Sequence, residues 1–171
     1  MSDSHGDVDA AAAAVRLCRR EGVDRVIHCG DITTPAVITL LEGYEVHWVL
    51  GNCDFDRDGL EQAMLRAGHR CHGEAGVVEV AGLRLAFTHG HRTAQLEALW
   101  RDPANDLVLH GHSHQPRNAG VGRRRLLNPG ALHRAAPTTL MLLDGGRAPA
   151  RWLELLTGHE VRVEAEAGWF R

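Results

Sequence analysis

The chain of 171 residues contains no lysine. All 19 of its basic residues are arginine, spread evenly, which reads as codon bias rather than as function. Nor does it have an excess of positive charge. A formal net charge of −3 and a pI of about 6.4 argue against a general nucleic-acid binder, which usually presents a basic surface. It lacks any C-x-x-C pair. Cys18, Cys29, Cys53 and Cys71 are scattered, which argues against a zinc knuckle or a disulfide framework and fits a reducing cytosol. No apolar run nears the ~20 residues of a membrane span, so no membrane role is expected. The alanines from Ala10 to Ala14 follow no basic stretch and are flanked by acids, unlike a signal peptide. Repeats, linkers and low-complexity tracts are absent as well.

What is present is an ordinary globular balance, 44% hydrophobic and 24% charged, in a length that suits a single domain with a real core. The unusual feature is twelve histidines, and they cluster.

Val8 to Glu21 has a helical pattern, with Val8, Ala11, Ala12, Val15 and Cys18 on one face and Gly22 as the stop. Val26–Cys29 and Val46–Leu50 read as short buried strands. A helix from Pro35 to Gly43 separates them, and another covers about Gly59 to Ala67. Val77–Val80 and Leu83–Phe87 read as a hairpin about Ala81-Gly82. A helix from Thr93 to Trp100 leads to a strand at Leu107–Leu109, and Arg125–Leu127 forms another. Thr138–Leu143 and Arg151–Leu156 pair about Asp144-Gly145-Gly146. Early βαβ alternation followed by strands on short turns predicts an α/β domain with a mixed sheet, or two packed sheets.

Polar clusters follow the strands. Asp31, Asn52, His89 and the pair His112/His114 each follow an apolar run and lie beside or near a glycine, which lets the backbone turn tightly. Sites of open α/β sheets lie beyond the carboxyl ends of strands, so these loops converge on one rim. Asp3 and His5 open the chain in "MSDSHGD". Asp3/His5 and His112/His114 share an i, i+2 spacing, which in an extended stretch turns both side chains the same way. Together the set holds two carboxylates, one amide oxygen and four imidazoles. Such a mixed O/N set without thiolate suits manganese, iron, zinc, cobalt or nickel. Seven donors exceed one tetrahedral ion and suit two ions about 3.5–4 Å apart, the arrangement that clamps a phosphoryl displacement.

"SDSHG", "GDI", "GNCD", "THGH" and "GHSH", in this order, together with "NPGAL", resemble the calcineurin-like metallophosphoesterases, in particular the small prokaryotic phosphodiesterases. The resemblance covers almost the whole chain. It implies a β-sandwich of two mixed sheets flanked by helices. It also implies hydrolysis of a small or flexible phosphodiester by a metal-bridging hydroxide, with two divalent ions per chain, manganese first. Asp3, His5 and His114 would hold one ion, Asn52, His89 and His112 the other, and Asp31 would bridge. The same fold also serves as a non-catalytic retromer scaffold, the rival reading. A nuclease ranks third. Oligomeric state is open, with a homodimer as one option.

Two departures from the family pattern matter. Many members carry histidine where this chain has Cys53, a poorer general acid, which leaves the proton donor unassigned, with Cys53 and His91 as candidates. Members also place an apolar strand before "SD-x-HG". Its absence here predicts a late start, unpaired neighbouring strands, and Asp3 and His5 on a loose stretch.

Other polar residues carry plainer readings. Asp54 either orients a ligand histidine or caps the following turn. Cys53 is either substrate-side or a small buried hydrophobe. His28 and His47 read as satisfied packing residues. His69, His72, His133 and His159 read as surface or loop residues, and His110 as a support behind the ligands. Arg123–Arg125 reads as a solvated hairpin turn, and Asn128-Pro129-Gly130 as a turn near the rim.

Overall fold

Asp7 starts the first helix, accepting the Ala10 N–H on its side chain at 2.9 Å. This helix, α1 (Val8–Arg20), buries Ala11, Ala14, Val15, Leu17 and Cys18. Its buried face is rotated from the expected one, and Val8 is exposed. The reason is that α1 packs into two cores at once, with Ala11 and Val15 in one and Ala14, Leu17 and Cys18 in the other. In the computed structural model, which describes residues 1–145 and 149–167, three further helices follow. They are α2 (Pro35–Thr39), α3 (Arg57–Arg66) and α4 (Thr93–Arg101). The expected extension of α2 to Gly43 is instead a tight turn, closed by Leu41 N–H to Ile38 O and Glu42 N–H to Thr39 O.

The strands are β1 (Arg25–His28), β2 (Glu45–Trp48), β3 (Arg70–Cys71), β4 (Ala75–Val80), β5 (Leu83–Thr88) and β6 (Leu107–Leu109). The rest are β7 (Arg117–Val121), β8 (Arg124–Asn128), β9 (Thr139–Leu142), β10 (Arg151–Glu154), β11 (Glu160–Val161) and β12 (Ala165–Ala167). Strands β3, β7, β11 and β12 escaped the sequence reading; three of these four have no more than three residues. Part of the expected turn between β9 and β10, Gly146, lies outside the described residues.

A mixed six-stranded sheet has the order β12-β7-β8-β6-β5-β4. The opposing layer is divided. β1-β2-β3 is wholly parallel and β11-β10-β9 wholly antiparallel, so two mixed sheets become one mixed sheet facing two smaller ones. Cys29, Val49, Leu85, Phe87, Leu109, Leu127 and Trp152 fill the space between the layers. Helices α1–α3 cover the outer face of β1 and β2, and α4 packs on the six-stranded sheet through Leu96 and Trp100. The result is an α-β-β-α sandwich.

Residues 1–6 are tied in place. The Met1 ammonium donates to Ile27 O at 3.0 Å and Cys29 N–H to Met1 O at 3.0 Å. Asp3, His5 and Gly6 donate to the carbonyls of Gly30, Asp31 and Ile32. On the other side Leu132 and His133 donate to the carbonyls of Ser2 and Asp3. Ser2, Asp3 and Ser4 are fully buried, so the expected loose stretch is a packed one. Behind Met1, the free edges of β1 and β9 face a cleft of about 470 Å³ lined by Val26, Ile27, Leu109 and Leu140.

Candidate metal centre

The loops after β1, β2, β5 and β6 meet residues 1–6 at one end of the sandwich. Asp31 is the hub. Its Oδ2 lies 3.7 Å from His5 Nε2 and 3.4 Å from His89 Nε2. Its Oδ1 accepts the Cys53 N–H at 2.8 Å. To one side, Asp3 Oδ1 is 3.3 Å from His114 Nε2, and His5 Nε2 is 3.2 Å from His114 Nε2. To the other, His89 Nε2 faces Asn52 Oδ1 at 3.1 Å.

Backbone strain marks the same residues. Asp3, His5, Asp31, His112 and His114 have φ of 55°, 43°, 56°, 68° and 57°, a left-handed region that residues with a Cβ avoid. Each costs on the order of 1–3 kcal/mol and persists only where the surroundings enforce it. Both members of each i, i+2 pair therefore depart from the expected extended backbone. Glycine matters through close approach as much as through turning. A Cβ on Gly51 would lie 2.0 Å from Asp31 Oδ1, and one on Gly111 would lie 1.9 Å from Ser2 Oγ.

The electrostatics call for a cation. His89 donates Nδ1–H to Cys29 O at 2.8 Å, which leaves a bare lone pair on Nε2 in the neutral ring. That lone pair faces a carboxylate oxygen and an amide oxygen, three acceptors converging on one point. Burial disfavours an imidazolium, yet the Asp31 and Asp3 carboxylates outweigh it and hold the His89 pKa above its usual value. Asp31 is likewise held well below the carboxylate range despite its burial, by His89 and the Cys53 N–H. Asp3 is pushed up by burial, and its Oδ1 has no hydrogen-bond partner among the described residues. Burial lowers His5 and His112. Among the described residues, three groups bring donor atoms within 4.8 Å of one another: Asp3/His5/His114, His5/Asp31/Cys53 and Asp3/Asp31/His89. This donor set fits divalent ions.

Of the seven expected ligands, six are joined by these distances. His112 stands slightly apart, its ring edge-on to that of His89 at 5.1 Å and its N–H donating to Asp3 Oδ2 at 3.1 Å. Cys53 accepts the Asn52 amide N–H on Sγ at 3.3 Å, which aims Asn52 Oδ1 toward His89. Its thiol is pushed up to about 11 by burial and by Asp31. His91 lies 5.4 Å from the His89 ring, with Nε2 3.8 Å from Glu74. Glu74 also binds Arg57 at 2.7 Å and Arg92 at 3.3 Å.

Asp54 adopts neither expected role. It accepts the backbone N–H groups of Asp31, Ile32, Thr33 and Gly51 at 2.7–3.0 Å, holding the backbone of the hub. The sequence reading also understated Asn128. Fully buried, it donates to Gly111 O at 2.9 Å and Ser113 Oγ at 3.0 Å, which fixes the loop of His112 and His114. Buried His110 receives no outlet to solvent, and its pKa is pushed down to about 4.

Of the other histidines, His47 and His133 fit their plain readings, while His28 and His69 depart from theirs. His47 is satisfied by His72 at 2.9 Å and Glu45 at 3.2 Å. His28 is packed on Trp48, but neither of its ring nitrogens has a partner among the described residues. His69 is buried and accepts the Trp48 indole N–H at 3.2 Å. His133 is half-buried, 2.8 Å from Asp7. Arg124 lies over the Trp100 ring at 4.8 Å and, like Arg125, is half-buried in β8, so of the expected solvated turn Arg123 alone is exposed. No helix among the described residues is long and apolar enough to cross a membrane.

Known proteins resemble this chain in sequence and fold. A phosphodiesterase of Methanocaldococcus jannaschii is 29% identical over 133 residues, 76% of this chain and 80% of that protein. The solved structure of an archaeal phosphodiesterase superposes with a TM-score of 0.83 at 27% identity, covering 90% of this chain and 96% of the other. Vacuolar Protein Sorting 29 of Cryptosporidium parvum has the same fold, with a TM-score of 0.62 at 21% identity over 85% of this chain and 84% of its own. The sequence profile of the calcineurin-like phosphoesterase superfamily domain matches residues 1–146, and the chain belongs to that superfamily.

Proposed function

We propose that the chain is a phosphodiesterase that works with two divalent ions, manganese first among them, on a small or flexible phosphodiester. The observation that carries this reading is Asp31 Oδ2, poised between His5 Nε2 at 3.7 Å and His89 Nε2 at 3.4 Å. Asp3, His5 and His114 would hold one ion, Asn52, His89 and His112 the other, with Asp31 shared. When bound, the ions supply charge for the phosphoryl oxygens and lower the pKa of a water.

The chain's own residues do the rest. The strained loops hold their donors before substrate arrives, so little reorganisation remains for the reaction. His89 is kept in one tautomer by the Cys29 carbonyl, and Asn52 is aimed by Cys53. A thiol pushed up to about 11 is a weak proton donor near neutral pH, so Cys53 is read as a positioning group. The four cysteines are free, in keeping with a reducing cytosol.

The test is hydrolysis of bis(p-nitrophenyl) phosphate by stripped protein as manganese is added, beside the matching monoester. The expected result is turnover that rises with manganese and favours the diester. Absence of turnover at saturating manganese would overturn the reading and favour a scaffold.

A further inference from the structure

The last acid of the opening stretch, Asp7, has no place in the ligand set. Its carboxylate does two things. Oδ1 caps α1 through the Ala10 N–H at 2.9 Å, and Oδ2 lies 2.8 Å from Nδ1 of His133. His133 is fixed through its backbone as well. Its N–H donates to the carbonyl of Asp3 at 3.2 Å, and Leu132 N–H donates to the carbonyl of Ser2 at 3.1 Å. The next residue, Arg134, has a φ of 52°, so this segment is strained like the ligand loops. The His133 ring lies 6.0 Å from the ring of His5, and its side chain is 28% exposed. An imidazole aligned by a carboxylate thus stands one ring beyond the Asp3/His5/His114 group, open to solvent.

We propose that His133, oriented by Asp7, contacts the substrate beside that group, meeting an oxygen of the phosphoester through Nε2. The proposal rests on the phosphoesterase reading above. Nδ1 is engaged by Asp7, so Nε2 is the ring atom left to meet a ligand. Held at two backbone points and one side-chain point, the ring loses little freedom on contact, which suits it to orient a flexible substrate.

The alternative is that the pair only ties the 131–134 loop to α1. Two substitutions separate the readings. His133→Asn keeps an amide near the place of Nδ1, within reach of Asp7, and removes the outward atom. His133→Gln places an amide near Nε2, able to donate or accept, and gives up Asp7. In manganese-loaded protein, His133→Asn is expected to raise KM for bis(p-nitrophenyl) phosphate about tenfold, the loss of one hydrogen bond to a charged group, with kcat nearly unchanged. His133→Gln is expected to recover most of that loss. The reverse ranking, or an unchanged KM in both, overturns the proposal.

Where a His133 variant fails to fold, Asp7→Asn serves, because asparagine still caps a helix. It too is expected to raise KM, and an unchanged KM counts against the contact. A second readout is independent of turnover: ¹⁵N NMR of the histidine rings in zinc-loaded protein, with inorganic phosphate added. The His133 Nε2 signal is expected to shift. A response at His89 and His112 with His133 silent removes this inference and leaves the phosphoesterase reading. No turnover and no response at any ring removes both.

Discussion

The carboxylate of Asp54 holds the backbone of Asp31, accepting its N–H at 3.0 Å while also accepting from Ile32 and Thr33, both at 2.7 Å. The acid that bridges the two halves of the site is thus placed by a second acid that never faces the site. Asp54→Asn replaces one acceptor oxygen by an NH₂ that opposes those donors. The expected outcome is a folded protein whose manganese affinity, measured by titration calorimetry, falls by about 10- to 100-fold. Unchanged affinity would mean that Asp31 holds its place without Asp54.

Gly51 is a second support. A Cβ there would lie 2.0 Å from Asp31 Oδ1 and 2.6 Å from Asp31 N, and backbone cannot swing aside. Gly51→Ala is expected to displace Asp31, weaken metal binding at least about tenfold and destabilise the fold by about 1–3 kcal/mol. Thermal melts with and without manganese measure both effects. A variant that keeps the full manganese-induced rise in Tm would refute the close-approach argument.

Cys53 occupies a position where a proton donor was sought. With its thiol pushed up to about 11 and its sulfur taken by Asn52, it is expected to be dispensable as an acid. Cys53→Ser, which can still accept from Asn52, should keep kcat within about threefold for good and poor leaving groups alike. A loss that grows steeply as the leaving group worsens would restore the thiol as the general acid.

His28 couples stability to pH. Burial keeps its imidazole neutral, far below its ordinary pKa of 6.5. Below pH 6.5 the unfolded chain takes up this proton and the folded chain does not. Stability therefore falls as pH drops through 6.5, by up to about 1.4 kcal/mol per unit for this one group. His28→Leu removes that loss. Between pH 7.5 and 5.0, urea unfolding of metal-free protein should show the variant gaining about 1–2 kcal/mol on the unsubstituted chain. Parallel pH dependence in the two proteins would show that His28 is already protonated when folded.

Much of the site was legible before any coordinates. Asp31, Asn52, His89, His112 and His114 each follow a strand, and strand ends are where α/β domains place their chemistry. The residue types alone pointed to a candidate site for a hard-to-borderline cation, because carboxylate, amide and imidazole donors without thiolate suit such ions. The four helices and eight of the twelve strands among the described residues followed from 3.6- and 2-residue periodicities, which are local properties of the chain.

What the tertiary structure decided are relationships between residues distant in sequence. That Asp54 serves Asp31 from 23 positions away, or that Asn128 serves the His112 loop, has no local signature, since an Asp or Asn in a turn looks the same whether it caps its neighbours or a distant backbone. The division of one layer into a parallel and an antiparallel sheet depends on which edges meet, not on any strand's own pattern. The pairing of Asp7 with His133 across 126 residues is of the same kind. Sequence determined which chemistry the chain carries, because donor types and periodicity are written residue by residue. Tertiary structure decided which donors face one another and at what strain, because that depends on packing between elements, which no local pattern records.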